Sequence, residues 1–198
     1  MKQMNQTPYA DIAAVNEPHM AVLLLLDTSG SMNGKPLEEL MEGYNQFLKQ
    51  TAMDDLAMKR VDIATMQFGN GVRIVQDFIP LSKAVEMPAP SLTADGQTPM
   101  GEAIEKGVQM VRDRCRVYDE AGIPHYKPWI FMITDGEPSF FLLAALFSVF
   151  LCLFRTKFSA DKYYYNIFPI KTKHDFSIHL RLFVQALFFK YIDTKQFL

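Results

Sequence analysis

Residues 20–36, MAVLLLLDTSGSMNGKP, decide the fold. Met20 to Leu26 is an unbroken apolar run of strand length that ends at Asp27. Being apolar on both faces, it suits a central strand of a parallel sheet with helices on either side. The glycine- and serine-rich turn DTSGSMNGK follows, and Pro36 stands where a helix begins. Leu37, Leu40, Met41, Tyr44 and Leu48 then recur at helical spacing, with Glu38, Glu39, Glu42 and Lys49 among the polar positions.

Further along the chain, Arg60 to Phe68 reads as a strand, Gly69-Asn70-Gly71 as a turn, and Val72 to Ile79 as its antiparallel partner. Thr98 reads as the N-cap of a further helix, with Pro99 at its first position. Met100, Ile104, Val108, Val111, Cys115 and Tyr118 line one face of that helix, and Gly122 and Pro124 end it. Trp129 to Ile133 is a second buried strand, running into Thr134-Asp135-Gly136-Glu137-Pro138. The expected class is α/β: a doubly wound, mainly parallel sheet with one antiparallel strand. In such sheets ligands bind beyond the carboxyl ends of the strands, where Asp27 and Asp135 both fall.

Three stretches together resemble the von Willebrand factor A (VWA) domain: LLLLDTSGSM, DGQTPMGEAI and IFMITDGEPS. They stand in that family's order over roughly residues 18–139, and are most similar to the bacterial intracellular proteins associated with tellurium resistance. The resemblance implies a VWA/Rossmann-like sheet of order 3-2-1-4-5-6 and a metal-ion-dependent adhesion site. The site residues it implies are Asp27, Ser29 and Ser31 from the first piece, Thr98 from the second and Asp135 from the third. The implied cofactor is Mg2+ or Mn2+, and the implied function is recognition of an acidic side chain offered by a protein partner. Elementary chemistry agrees, because magnesium wants six hard oxygen ligands and keeps several waters. Three hydroxyls and two carboxylates meet that demand without a soft ligand that would favour zinc.

Each residue also has a plainer explanation. Ser29, Gly30 and Ser31 suit a turn, Thr98 suits a cap, and Asp135-Gly136 is a common turn pair. Their joint occurrence after an apolar strand favours the site. His19 and His125 read as structural or surface residues, Cys115 as core, and Lys35 as a solvated cation near the site. A strand-end aspartate followed later by T-D-G-E also resembles phosphoaspartate hydrolases of the haloacid-dehalogenase type. Those need Asp-x-Asp, and Ser29 occupies the position of the general acid. The expectation is therefore no enzymatic activity.

Composition divides the chain. The 198 residues carry a formal net charge of −2, without the basic excess of a nucleic-acid binder. Residues 1–139 hold 12 Lys and Arg against 19 Asp and Glu, while residues 140–198 hold 8 against 3, with no glycine and twelve of the sixteen phenylalanines. Three segments follow: a polar N-terminal extension at 1–17, a stretch at 18–139 that by the resemblance is the N-terminal two-thirds of a VWA domain, and an atypical apolar and basic tail at 140–198. The tail reads as a frame interrupted near Pro138-Ser139, which makes a non-functional truncated product a third functional alternative. Its other reading is helix, strand, helix, with a strand at Tyr163 to Ile170 and a helix over Asp175 to Ile192. Phe140 to Phe154 is apolar but shorter than the roughly 20 residues a spanning helix needs, so membrane association is the lesser reading and a cytoplasmic location the favoured one. Two cysteines, Cys115 and Cys152, make no disulfide framework.

Overall fold

The computed structural model describes residues 12, 15–134 and 166–171. In chain order the elements are β1 (Met20–Asp27), a 3-10 turn (Gly30–Met32), α1 (Lys35–Thr51), α2 (Asp55–Arg60), β2 (Val61–Gly69), β3 (Gly71–Pro80), α3 (Leu81–Ala84), α4 (Met100–Ala121), β4 (Trp129–Thr134) and β5 (Asn166–Lys171). The sheet order is β3-β2-β1-β4-β5. β1 pairs in parallel with β2 and β4, β4 pairs in parallel with β5, and the β2–β3 hairpin is antiparallel.

The two-faced apolar run explains this architecture. Met20, Val22, Leu24 and Leu26 of β1 join one core with Leu40, Tyr44, Phe47 and Leu48 of α1 and Trp129, Phe131 and Ile133 of β4. Ala21, Leu23 and Leu25 join the other, with Ala103, Ile104, Val111, Cys115 and Tyr118 of α4. Burying each such leucine is worth about 1.5–3 kcal/mol, so a slip of register would be severely penalised. Gly107 lets α4 approach closely, since a Cβ there would meet Leu23 Cδ2 at 3.0 Å.

Several local expectations are corrected. Arg60 closes α2 and does not begin β2; Asp54 caps that short helix, its carboxylate accepting the Leu56 and Ala57 N–H groups at 2.8 and 2.9 Å. Six residues are too few for apolar periodicity to register. The N-cap of α4 is Pro99, not Thr98. Pro99 has ψ of 57°, outside the helical range, and its carbonyl accepts the Ala103 N–H at 3.0 Å, the first bond of the helix. Of the two readings of His19 and His125, structural or surface, the structural one holds, since both are buried and form an isolated parallel bridge. The N-terminal extension is not wholly polar in role, because Ile12 is buried in the α4-side core.

β5 begins at Asn166, three residues after the expected start, and runs parallel to β4 with Pro169 opposite Met132. Among the described residues it is the edge strand, where a residue lacking an N–H is tolerated. The run Phe140 to Phe154, the Pro138-Ser139 boundary, Cys152 and the Asp175 to Ile192 segment lie outside the described residues. Among those described, no helix is long and apolar enough to cross a membrane.

Candidate metal centre

β1 delivers Asp27 to the carboxyl edge of the sheet, where it is fully buried. One carboxylate oxygen, Oδ1, accepts the Ser29 backbone N–H at 2.9 Å. The other, Oδ2, accepts the Thr134 hydroxyl at 2.5 Å. Leu26 and Ile133 are register partners, so Asp27 and Thr134 end neighbouring parallel strands side by side. Ser29 is buried and Ser31 exposed, and their hydroxyl oxygens lie 3.1 Å apart.

A second loop closes over this one. The Gly30 N–H donates to the Gly96 carbonyl at 3.0 Å, and the Asp95 N–H donates to the Thr28 carbonyl at 2.9 Å. The Asn70 side-chain amide donates to Asp95 Oδ2 at 3.0 Å, joining the β2–β3 turn to the same loop. Thr98 follows Gly96 by two residues and is exposed, and the capping by Pro99 leaves its hydroxyl out of that role. The structure thus brings Asp27, Ser29 and Ser31 into one hydrogen-bonded group and docks the Thr98 loop beside them. Asp135 lies outside the described residues, immediately after Thr134.

The residue pattern alone did not single out Thr134, Thr28 or Gly69. Thr28 is tied to Phe68, its N–H and hydroxyl reaching the Phe68 carbonyl at 2.7 and 3.2 Å. That contact requires glycine at the next position. A Cβ on Gly69 would stand 2.4 Å from the Thr28 carbonyl oxygen, which is backbone and cannot step aside. Gly69→Ala is expected to lower stability by about 1–3 kcal/mol and to displace the Asp27–Ser31 loop. Gly101→Ala, whose Cβ meets nothing within 4 Å, serves as the neutral control. Thermal unfolding of the two variants, compared with the parent, checks this.

A second buried carboxylate marks the contrast. Asp62, on β2, lies among His19, Arg114 and Tyr118. Its Oδ2 accepts from Arg114 at 2.8 Å and Tyr118 at 2.5 Å, with His19 Nδ1 at 3.3 Å. Burial alone would raise the Asp62 carboxyl, but the His19 hydrogen bond, the Arg114 charge and the Tyr118 hydroxyl together hold it below the usual carboxylate range. Burial, and then the Asp62 charge, push the Tyr118 phenol well above its ordinary range. Cys115, on the same helix, is pushed up to about 12 by burial, so it is an inert core thiol and not a nucleophile. The negative charge of Asp62 is therefore answered from within the protein. That of Asp27 is not: both its partners are neutral donors, and among the described residues no Lys, Arg or His pairs with it.

Among the described residues no group of three or more His, Cys, Asp or Glu could hold a metal ion. Cation binding there would rest on Asp27 and hydroxyl oxygens. Hydroxyl oxygens 3.1 Å apart suit it, because neighbouring ligands of an octahedral magnesium about 2.1 Å from the ion are roughly 3 Å apart.

A family model described as the von Willebrand factor type A domain matches residues 22–137, more than half of the chain. No curated protein matches. Among solved structures, the PilB minor pilin from Streptococcus sanguinis is similar at 20% identity and a TM-score of 0.49. That match covers 62% of this chain and 31% of the pilin, so the chain spans under a third of the pilin's length. The pilus adhesin SpaC from Lactobacillus rhamnosus GG, in its open conformation, is similar at 22% identity and a TM-score of 0.49, covering 63% of this chain and 15% of that one. The SpRpn10 VWA domain is similar at 13% identity and a TM-score of 0.44, covering 79% and 90%.

Proposed function

The chain belongs to the von Willebrand factor type A family, and from that premise we propose that it is a non-catalytic binding module in which a divalent cation recognises an acidic group on a protein partner. One observation carries the reading: among the described residues the fully buried Asp27 carboxylate is satisfied by neutral donors alone, beside two serine hydroxyls at ligand-like spacing. Burying an uncompensated charge costs several kcal/mol, and a bound cation removes that cost. Asp27, Ser29, Ser31 and Thr98 would hold Mg2+ or Mn2+, with Asp135 as a further ligand on the strength of its motif. When bound, the ion supplies an electrophilic position that an incoming carboxylate completes. The chain's own part is to fix the oxygens and keep the loop edge open, as the exposure of Ser31 and Thr98 allows.

A binding role is favoured over phosphoryl hydrolysis because Ser29 cannot act as a carboxylic acid. The motif likeness to the intracellular tellurium-resistance-associated branch, together with only two cysteines, supports a cytoplasmic location. Calorimetric titration of the full chain with MgCl2 and MnCl2 tests the proposal. A saturable heat near one equivalent, abolished by excess EDTA, is expected. Absence of binding by either ion at millimolar concentration would overturn it.

A further inference from the structure

We infer that Thr134 is a positioning residue for the cation site, acting through Asp27 without touching the ion. This rests on the metal-binding reading above. The geometry is specific. Asp27 and Thr134 end adjacent parallel strands 107 residues apart in sequence, and the threonine hydroxyl donates to Asp27 Oδ2 at 2.5 Å inside a buried environment. At that length the bond is a charge-assisted O–H···O contact, roughly twice as strong as one between neutral groups. The Ser29 N–H holds Oδ1 from the loop side at 2.9 Å, so the carboxylate is gripped at both oxygens and its plane is fixed.

The choice of a hydroxyl matters chemically. A lysine or arginine at the end of β4 would also orient Asp27, but it would cancel the charge that attracts a cation, as Arg114 does for Asp62. A threonine orients while contributing no charge. It is also β-branched, so its side chain has few rotamers to lose, and at 4% exposure water does not compete for the bond. Each Asp27 oxygen accepts a single protein hydrogen bond among the described residues, which leaves a lone pair on each for the ion or its water shell.

The test compares Thr134→Val, which keeps the shape and removes the hydroxyl, with Thr134→Ser, which keeps the hydroxyl. Binding of Mn2+ to the full-length chain is measured by electron paramagnetic resonance, and folding in EDTA is followed by circular dichroism. Thr134→Val is expected to bind Mn2+ about 10–100-fold more weakly, the usual cost of losing an outer partner of a metal ligand. Thr134→Ser should recover to within a few-fold of the parent. If Thr134→Val binds like the parent while Asp27→Ala does not bind at all, the positioning role is wrong and the cation site stands. If the parent itself fails to bind, both readings fall together. Should Thr134→Val not fold, the parent still decides by nuclear magnetic resonance. Its Thr134 hydroxyl proton should be protected from water exchange and shifted by Mg2+, and a rapidly exchanging, unresponsive proton would refute the assignment.

Discussion

Arg114→Met should unfold roughly 10 °C below the parent, a loss of about 3–5 kcal/mol, making it the most damaging single change outside the apolar cores. Methionine keeps most of the apolar stem that packs under Phe78 and Tyr118, whose ring centroids lie 5.7 and 5.2 Å from the guanidinium carbon. What it removes is the cation facing Asp62 at 2.8 Å. Among the described residues the buried carboxylate would then have only His19 and Tyr118 to answer it, and its Oδ1 already has no partner among them. Adding Asp62→Asn should restore part of the loss, because the pair is then replaced and not broken. Simple additivity of the two changes would rule out this account.

The pH dependence has a definite sign. Asp62 titrates below its ordinary value in the folded parent, so its contribution is fully present above the unfolded carboxyl pKa of about 3.9. It is lost as pH falls through the lower folded value. Arg114→Met removes one of the influences that hold the carboxyl down, while burial, which pushes it up, remains, so its titration moves upward towards the ordinary value. The deficit relative to the parent should therefore be greatest near neutrality and shrink on acidification below about pH 4. Urea midpoints at pH 7 and pH 3.5 would reveal this, and a deficit that grows in acid would contradict it.

How much of this could be read from the residues alone follows from what each feature depends on. β1, α1, the β2–β3 hairpin and β4 were legible because their apolar periodicity is long and local. α2 was missed because its only strong signal, Asp54, precedes a segment too short to show a period. The Asp62 network did leave traces. Asp62 is a charge inside an otherwise apolar strand, and Arg114 recurs at helical spacing with Val111 and Tyr118 on the buried stripe of α4. What could not be read was that the two meet, which requires knowing that α4 crosses β2. The same limit applies at the candidate site. Asp27, Ser29 and Ser31 share one loop and announce themselves together. Thr134 and Gly69 matter only through contacts made across the sheet edge, where nothing local distinguishes them from an ordinary strand end.

Asp27→Asn separates a metal site from a merely structural aspartate, because its effect on stability should change sign with the cation present. In EDTA the parent buries a carboxylate that no cationic side chain among the described residues answers. Asparagine is isosteric: its Oδ1 still accepts the Ser29 N–H, and its amide N–H donates to the Thr134 hydroxyl with that bond reversed, so at most one hydrogen bond is weakened or lost. A net hydrogen bond is worth about 1 kcal/mol, less than the several kcal/mol that a buried unpaired charge costs. The variant is therefore expected to be the more stable of the two in EDTA, by about 1 kcal/mol or more. Saturating Mg2+ reverses the order. A ligand present at a hundred times its dissociation constant adds about 2.7 kcal/mol to the form that binds it, and only the parent has the charge to bind. Residues held for function against local stability behave in this way, and removing them relieves the fold while abolishing the activity. Thermal unfolding of both proteins, with EDTA and with MgCl2, gives four midpoints. Crossing of the two pairs supports the cation role of Asp27. A variant that unfolds below the parent by the same margin in both conditions would make Asp27 a structural hinge of the β1 loop and withdraw the metal reading.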